Sequence, residues 1–444
     1  MAPRPEHFLT RFLLLVDSST MGMGQSTSYS TRRQFLRTAG LGTLGVFGVT
    51  PNILSALQPM RVDRVDVVTF SDNLKIGGGS GGADGAEFIW IRIHTEDGHV
   101  GYGETYPFSS AERGALQRLA KQIVGQDPRD LDKFWEESFH QQAMRNTGGA
   151  EIRALSAFNM AQLDLLGKSA GLPAYRLLGG RTRERVRVYN TTTNYWAING
   201  MQMGTDTRKI VRFLLDRGIT AMKIYPFRGE GEYISPEEIQ RGIDWIRQIK
   251  DEAGNQMEIC VDCWGRWDYV SAQKITEALE PFNILYLEDV MLPSSVDTYA
   301  RLAEETNVPI CMSETLATRY EYREVLEAGA CDVVMFDCSW VGGPVEGKKV
   351  ADLTESYRIP VSPHTAGGPL LWLSSIHLST ALPNLLIMES NYWKYAHQYP
   401  YFLSEVPTPE DGMVAPPERP GLGAEVRPGL FDRGEATVST VAEI

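Results

Sequence analysis

Between Val186 and Glu389 the chain repeats one pattern eight times: a short apolar run followed by a stretch of helical periodicity. The runs are VRVYNTTT, TAMKIY, EICVD, NILYLE, VPICMSE, CDVVMFD, IPVSPH and NLLIME. Each is too short for a helix and nearly continuous in its apolar residues, as strands covered on both faces are. Between them lie stretches such as SPEEIQRGIDWIRQIKDEAGN, where Ser235 is placed as N-cap, Pro236 at the first helical position and Gly254 at the end. Eight strands alternating with helices over about 200 residues predict an α/β fold, a (β/α)8 TIM-like barrel over residues 181–390.

The polar residues that close these runs carry the functional argument. Asp262, Glu288 and Glu314 are evenly separated, 288 − 262 = 26 and 314 − 288 = 26. Asp337, His364 and Glu389 follow at 23, 27 and 25 residues. One strand, one helix and two short loops need about that many residues, so each group is expected at the carboxyl end of its own strand. Three clustered carboxylates do not all stay ionised without a cation between them. All-oxygen ligation selects a hard divalent ion, Mg²⁺ before zinc or copper, with Asp262, Glu288 and Glu314 as its ligands.

A competing metal or redox motif, Cys260-Val-Asp-Cys263, fails on geometry. In an extended strand residues 260 and 262 share a face and 263 points the other way, so the two thiols diverge. All five cysteines fall between 260 and 338, within runs expected to be buried, and are read as free packing thiols. On the second strand the same alternation turns Lys223 and Tyr225 inward together.

Residues 61–180 read differently. VDRVDVVTF and EFIWIRIHTEDGHVGYGETY alternate like antiparallel strands, with Glu96-Asp97-Gly98 as a hairpin turn. A glycine-rich stretch, GGGSGGADG at 77–85, separates them. A helix follows, with apolar residues at 155, 158, 163 and 166, ended by Gly171 and Pro173. This part is expected to form an α+β cap, to which the tail, 391–444, returns.

Ahead of it, residues 1–60 are a leader. Arg32-Arg33 precede Phe35-Leu36-Arg37 and a weakly apolar, glycine-rich run, the order of a twin-arginine export signal. That run is too short to span a bilayer, Leu54-Ser55-Ala56 is a passable cleavage site, and the expected location is periplasmic with no membrane span after export. A net charge of −13 excludes a nucleic-acid surface and repels an anionic substrate unless a local cation offsets the field.

These residues resemble a known family, the enolase superfamily, in its mandelate racemase/muconate lactonizing enzyme-like branch of acid-sugar dehydratases and racemases. The likeness rests on GYGE (101–104), SAFNMAQLDLLGKSAGLPAYRLLGG (156–180), FDCSWVGG (336–343), VSPHTAGG (361–368), LPNLLIMES (382–390) and PGLG (420–423), together with the Asp–Glu–Glu series. It implies Mg²⁺ on Asp262, Glu288 and Glu314, and His364 as general acid/base oriented by Asp337. Glu389, carrying or sharing a proton, would hydrogen-bond the substrate carboxylate. It also implies a homo-oligomer acting on a small carboxylate such as an acid sugar.

Two positions depart from the family pattern. Lys-x-Lys on the second strand is replaced by Lys223-Ile-Tyr225, leaving either Lys223, lowered in pKa by the cation and burial, or Tyr225 as the base. Trp264 stands where relatives such as galactonate dehydratase carry Asn or His, and Arg266 beside it is expected to contact substrate. The chemistry expected is abstraction of the α-proton to give an enediolate, then loss of the β-hydroxyl to a 2-keto-3-deoxy acid. Racemisation or epimerisation on the same scaffold is the alternative. A non-catalytic exported binding protein is a third reading, and the intact acid series argues against it.

Overall fold

A computed structural model describes residues 60–71, 74, 88–106, 110–143 and 148–442. The expected twin-arginine signal and cleavage site, within residues 1–59, and the glycine-rich stretch at 77–85 lie outside the described residues.

The first layer is a four-stranded antiparallel sheet in the order β12-β1-β2-β3. Its strands are β1 (Val62–Phe70), β2 (Ile89–Thr95) and β3 (Val100–Thr105), with β12 (Ala436–Ala442) supplied by the chain's tail. Gly98, at φ 87°, turns the β2–β3 hairpin in a conformation that side chains disfavour. Helices α1 (Ser110–Ile123), α2 (Leu131–Ala143) and α3 (Gly149–Ala170) cover one face of this sheet. Helix α3 ends at Gly171, in the left-handed conformation, where the sequence placed its stop.

The two glycines of GYGE are there for contact. A Cβ on Gly103 would lie 1.9 Å from the Ala157 carbonyl oxygen, and one on Gly101 would lie 2.4 Å from that of Ala161. Strand β3 therefore lies flush on the backbone of α3. Because the obstacle is backbone, a Gly103→Ala protein is expected to lose about 3 kcal/mol. Urea denaturation checks this; a change under a tenth of that would contradict the close approach.

The second unit is the barrel. Strands β4 (Val186–Thr191), β5 (Ala221–Ile224), β6 (Glu258–Asp262), β7 (Tyr286–Glu288), β8 (Ile310–Met312) and β9 (Val333–Val334) pair in parallel and in chain order, and β10 (Met388–Ser390) pairs with β4. A short β11 (Met413–Val414) runs antiparallel along β4. The seventh run, IPVSPH, forms only single parallel bridges, Val334↔Val361 and Asp337↔His364 on one side and Val361↔Leu385 on the other. Pro360 and Pro363 explain this, since neither has an amide hydrogen to give. Their carbonyls still accept from Val334 and Glu389, and so the ring closes.

Alternation inside this ring positions everything that follows. Tyr189, Ala221, Cys260, Tyr286, Cys311, Val333, Met335 and Ile387 form one buried cluster filling the interior. Their neighbours, among them Met222, Ile259, Val261, Leu287 and Ile310, belong to the core between strands and helices. Cys260 and Cys263 fall in different clusters, and all five cysteines are free and buried.

Candidate active site

Two residues beyond the interior layer, on the same pleat face, stand Thr191, Lys223, Asp262, Glu288, Asp337 and Glu389, all buried. The strands thus raise a polar tier directly above an apolar one. Glu314 is the exception. The pleat partner of Cys311 is Ser313, and Glu314 follows one residue later, past the end of β8.

Two cations organise the tier. The Lys223 ammonium, wholly buried, lies 2.9 Å from Glu288 Oε1, 3.1 Å from Asp262 Oδ2 and 3.3 Å from Glu389 Oε1. The His364 ring places Nδ1 2.7 Å from Asp337 Oδ2 and Nε2 2.6 Å from Glu314 Oε2, with Glu389 Oε2 at 3.4 Å. Glu389 thus bridges the two cations. It also accepts from the Thr191 hydroxyl and, at 2.7 Å, from the Thr365 amide. The Ser339 amide donates to the other oxygen of Asp337 at 2.6 Å, fixing the carboxylate that aims the imidazole.

The electrostatics follow from burial. Desolvation and then the neighbouring carboxylates raise the carboxyls of Asp262 and Glu288. For Glu314 burial pulls upward too, but the adjacent His364 outweighs it and the carboxyl ends below its ordinary value. Burial opposes charge on His364 and on Lys223, yet the surrounding carboxylates win and hold both groups protonated.

In the metal-free arrangement the shifts run opposite to two expectations. Lys223 is not lowered toward a neutral base in this arrangement; Glu288 and Glu389 raise it well above the usual lysine value. For Tyr225 burial and then the Asp262 charge push the phenol up, away from a phenolate in the metal-free arrangement. Glu389 differs as well. Burial would raise it, but Lys223, His364 and the Thr191 and Thr365 hydrogen bonds bring it down to about 2, so it stands ionised rather than sharing a proton.

Trp264 and Arg266, expected near the substrate, lie apart from the buried tier. Strand β6 ends at Asp262, and Trp264 adopts φ 54°, which breaks the pleat. The residue is 70% exposed, and what reaches the polar tier is its backbone amide, 2.8 Å from Asp262 Oδ1. The exposed Arg266 guanidinium turns to the Gly229 carbonyl. Neither side chain lies in the buried cluster.

Sequence reasoning missed Thr191, Thr365 and Asp289. Asp289 is buried, accepts from the Ser313 hydroxyl at 2.8 Å, and has one oxygen with no partner among the described residues. Counting two residues on from each interior apolar position would have found Thr191; nothing in the sequence marks Thr365.

The donor set suits a hard divalent ion. Five buried carboxyls (Asp262, Glu288, Glu314, Asp337, Glu389) have Lys223 and His364 as their cationic neighbours among the described residues, and every candidate donor of the expected triad is oxygen. The side chains as they stand are paired otherwise. Among the described residues no three His, Cys, Asp or Glu side chains are gathered around one metal position. Asp262 and Glu288, cross-strand partners in register, close on Lys223, and Glu314 closes on His364.

A parallel barrel with an acid, lysine and histidine tier under an α+β cap defines a scaffold for acid/base chemistry on small molecules. Residues 64–179 match the family described as mandelate racemase/muconate lactonizing enzyme, N-terminal domain, and residues 206–430 the enolase C-terminal domain-like family. The chain belongs to the enolase superfamily, in its mandelate racemase/muconate lactonizing enzyme branch. It is 29% identical over 350 residues to a D-galactonate dehydratase of Ralstonia nicotianae, covering 77% of this chain and 90% of that one. To a D-gluconate dehydratase of Thermoproteus tenax it is 29% identical over 361 residues, 80% and 71% of the two chains. A mandelate racemase subgroup enolase from Agrobacterium tumefaciens superposes with a TM-score of 0.76 at 30% identity, covering 86% of this chain and 99% of the other.

Proposed function

We propose that the protein is a hydro-lyase that dehydrates an acid sugar to a 2-keto-3-deoxy acid, with Mg²⁺ as its cofactor. The observation that carries this reading is the His364–Asp337 pair standing beside Glu314, Asp262 and Glu288 at the barrel rim. The relatives named dehydratases support the reaction class.

Asp262, Glu288 and Glu314 would hold the ion, which supplies a positive charge that makes the proton α to a bound carboxylate acidic. To take part, Glu314 must exchange its contact with His364 Nε2, and that exchange leaves the imidazole a free nitrogen. Asp337 keeps Nδ1 engaged, so Nε2 is the atom that takes the α-proton and then gives it to the leaving β-hydroxyl. Lys223, held protonated, offers positive charge to the substrate carboxylate, and the ionised Glu389 holds Lys223 and His364 in register. One base on one face suffices for dehydration. Racemisation needs two bases of comparable strength on opposite faces, and Tyr225 stands where the family pattern has its second lysine.

The test is a library of hexonates and pentonates read out by keto-acid formation. Protein stripped with EDTA is expected to be inactive, to regain activity with Mg²⁺, and to melt at higher temperature with the ion than without it. Activity undiminished after stripping would remove Mg²⁺ from the scheme, and α-proton exchange without loss of water would favour an epimerase. Export through the twin-arginine route and a homo-oligomeric assembly complete the proposal. The first rests on Arg32-Arg33. Fractionation of cells expressing the full chain with Arg32-Arg33 replaced by Lys-Lys tests it: the protein should stay in the cytoplasm.

A further inference from the structure

Strand β3 ends in Glu104-Thr105 and Tyr106 follows it, and each of these side chains meets one of two barrel loops. Glu104, wholly buried, accepts from the Gly368 amide at 2.6 Å, the Leu370 amide at 3.1 Å and the Trp90 indole at 2.9 Å. Those two amides open the helix Pro369–Ala381, just past His364. The contact is close enough to dictate sequence. A Cβ on Gly367 would stand 3.2 Å from one Glu104 oxygen, and a Cβ on Gly368 2.5 Å from the other. Thr105 donates its hydroxyl to the Ser339 carbonyl at 3.2 Å, and the Ser339 amide is the group that holds Asp337. The Tyr106 ring packs edge-on against Trp340 at 5.2 Å, and Trp340 lies 5.4 Å from the His364 ring.

The capping sheet therefore grips the loop after His364 and the loop after Asp337 from a single strand end. We propose that Glu104 and Thr105 are positioning residues for the His364–Asp337 pair, so that the cap aims the acid/base group besides covering it. The physical reason is a chain of fixed points. Asp337 orients the imidazole through Nδ1; Ser339 fixes Asp337; Thr105 fixes the Ser339 peptide. Glu104 pins the far end of the His364 loop, whose Thr365 amide is already held by Glu389. A misaimed imidazole costs rate before it costs binding. The proposal rests on the reading that this pair moves the substrate proton, but its primary readout does not need turnover.

The experiment uses full-length Mg²⁺-loaded protein labelled with ¹⁵N-histidine. The chain has seven histidines, and the His364 signals are assigned by their loss in His364→Asn. Thr105→Val removes the hydroxyl at nearly constant volume, Thr105→Ser restores it, and Glu104→Gln sets an NH₂ against at least one of the donors on that carboxylate. Thr105→Val and Glu104→Gln are expected to shift the His364 ring nitrogens and to lower kcat about tenfold or more with KM within about twofold, as loss of groups that orient a site does. Thr105→Ser is expected to return both readouts to wild type. An unmoved imidazole spectrum in Thr105→Val and Glu104→Gln overturns the proposal, as does a Thr105→Ser protein no better than Thr105→Val. Shifted imidazoles in a protein that turns over no acid sugar would uphold the positioning and sink the dehydratase reading alone.

Discussion

His364→Asn is expected to lower the dehydration rate about 10³-fold, the scale of a lost general acid/base. Asparagine still has a hydrogen bond to donate toward Asp337, but its amide neither takes up nor gives up a proton as an acid or base near neutral pH. The substitution also frees Glu314 from the imidazolium that lies 2.6 Å away. A pH signature accompanies it. In the metal-free protein the folded pKa of His364 is raised well above the ordinary histidine value of 6.5, against the pull of burial, by Glu314, Glu389 and Asp337. The stability this gives is complete below the unfolded value and is lost as pH rises through the folded one. Metal-free wild type should therefore weaken on the alkaline side of 6.5, and His364→Asn should flatten that slope. Keto-acid assays and urea melts across pH measure both effects; full activity in the variant would remove His364 from the mechanism.

Lys223→Met should produce the largest stability loss of any single substitution in the polar tier. Methionine fills much of the volume but leaves Asp262 and Glu288 without their cation and Glu389 with His364 alone. All four side chains are buried, so water does not screen the repulsion. Removing one partner of a buried ion network costs about 3–5 kcal/mol. Urea denaturation of the metal-free protein measures it. Added Mg²⁺ should recover part of the loss, because a divalent ion on Asp262 and Glu288 replaces the missing charge. Turnover should stay abolished even with the ion present. A metal-free variant as stable as wild type would show that the carboxyls simply take up protons.

Much of this architecture was legible because it is periodic. Eight apolar runs at regular spacing marked the staves, and the helix 236–253 was readable from its caps: the Ser235 hydroxyl accepts from the Glu238 amide while Glu238 reaches back to the Ser235 amide. The Cys260–Cys263 pair was resolved by alternation alone. The seventh stave was legible as a run but not as a strand, since the prolines that thin its pairing still leave its carbonyls to close the ring. Even spacing misled at one place. Glu314 keeps the 26-residue interval from Glu288 yet overshoots the pleat by one residue, and that single step turns it toward His364.

The protonation states were beyond reach of the sequence. Whether Lys223 is a base or a fixed charge depends on how many carboxylates lie within about 3–4 Å, and pairs at that distance in a buried site dominate the balance. The same holds for Glu389, which a linear reading gave a proton and which two cations ionise. Trp264 is turned outward at one positive φ just past the end of its strand, a local backbone change that the sequence does not mark.

Periodicities of two residues and of about 25 are short-range or repetitive, so the chain alone determined the staves, their order and the identities of the groups at their tips. Distances between those tips are set by register, by where each strand stops and by the cap strand that braces two of the loops. Only the folded molecule decided which carboxyl meets lysine, which meets histidine and which backbone amides hold them, because charge in a dry interior answers to ångströms that no spacing in the sequence records.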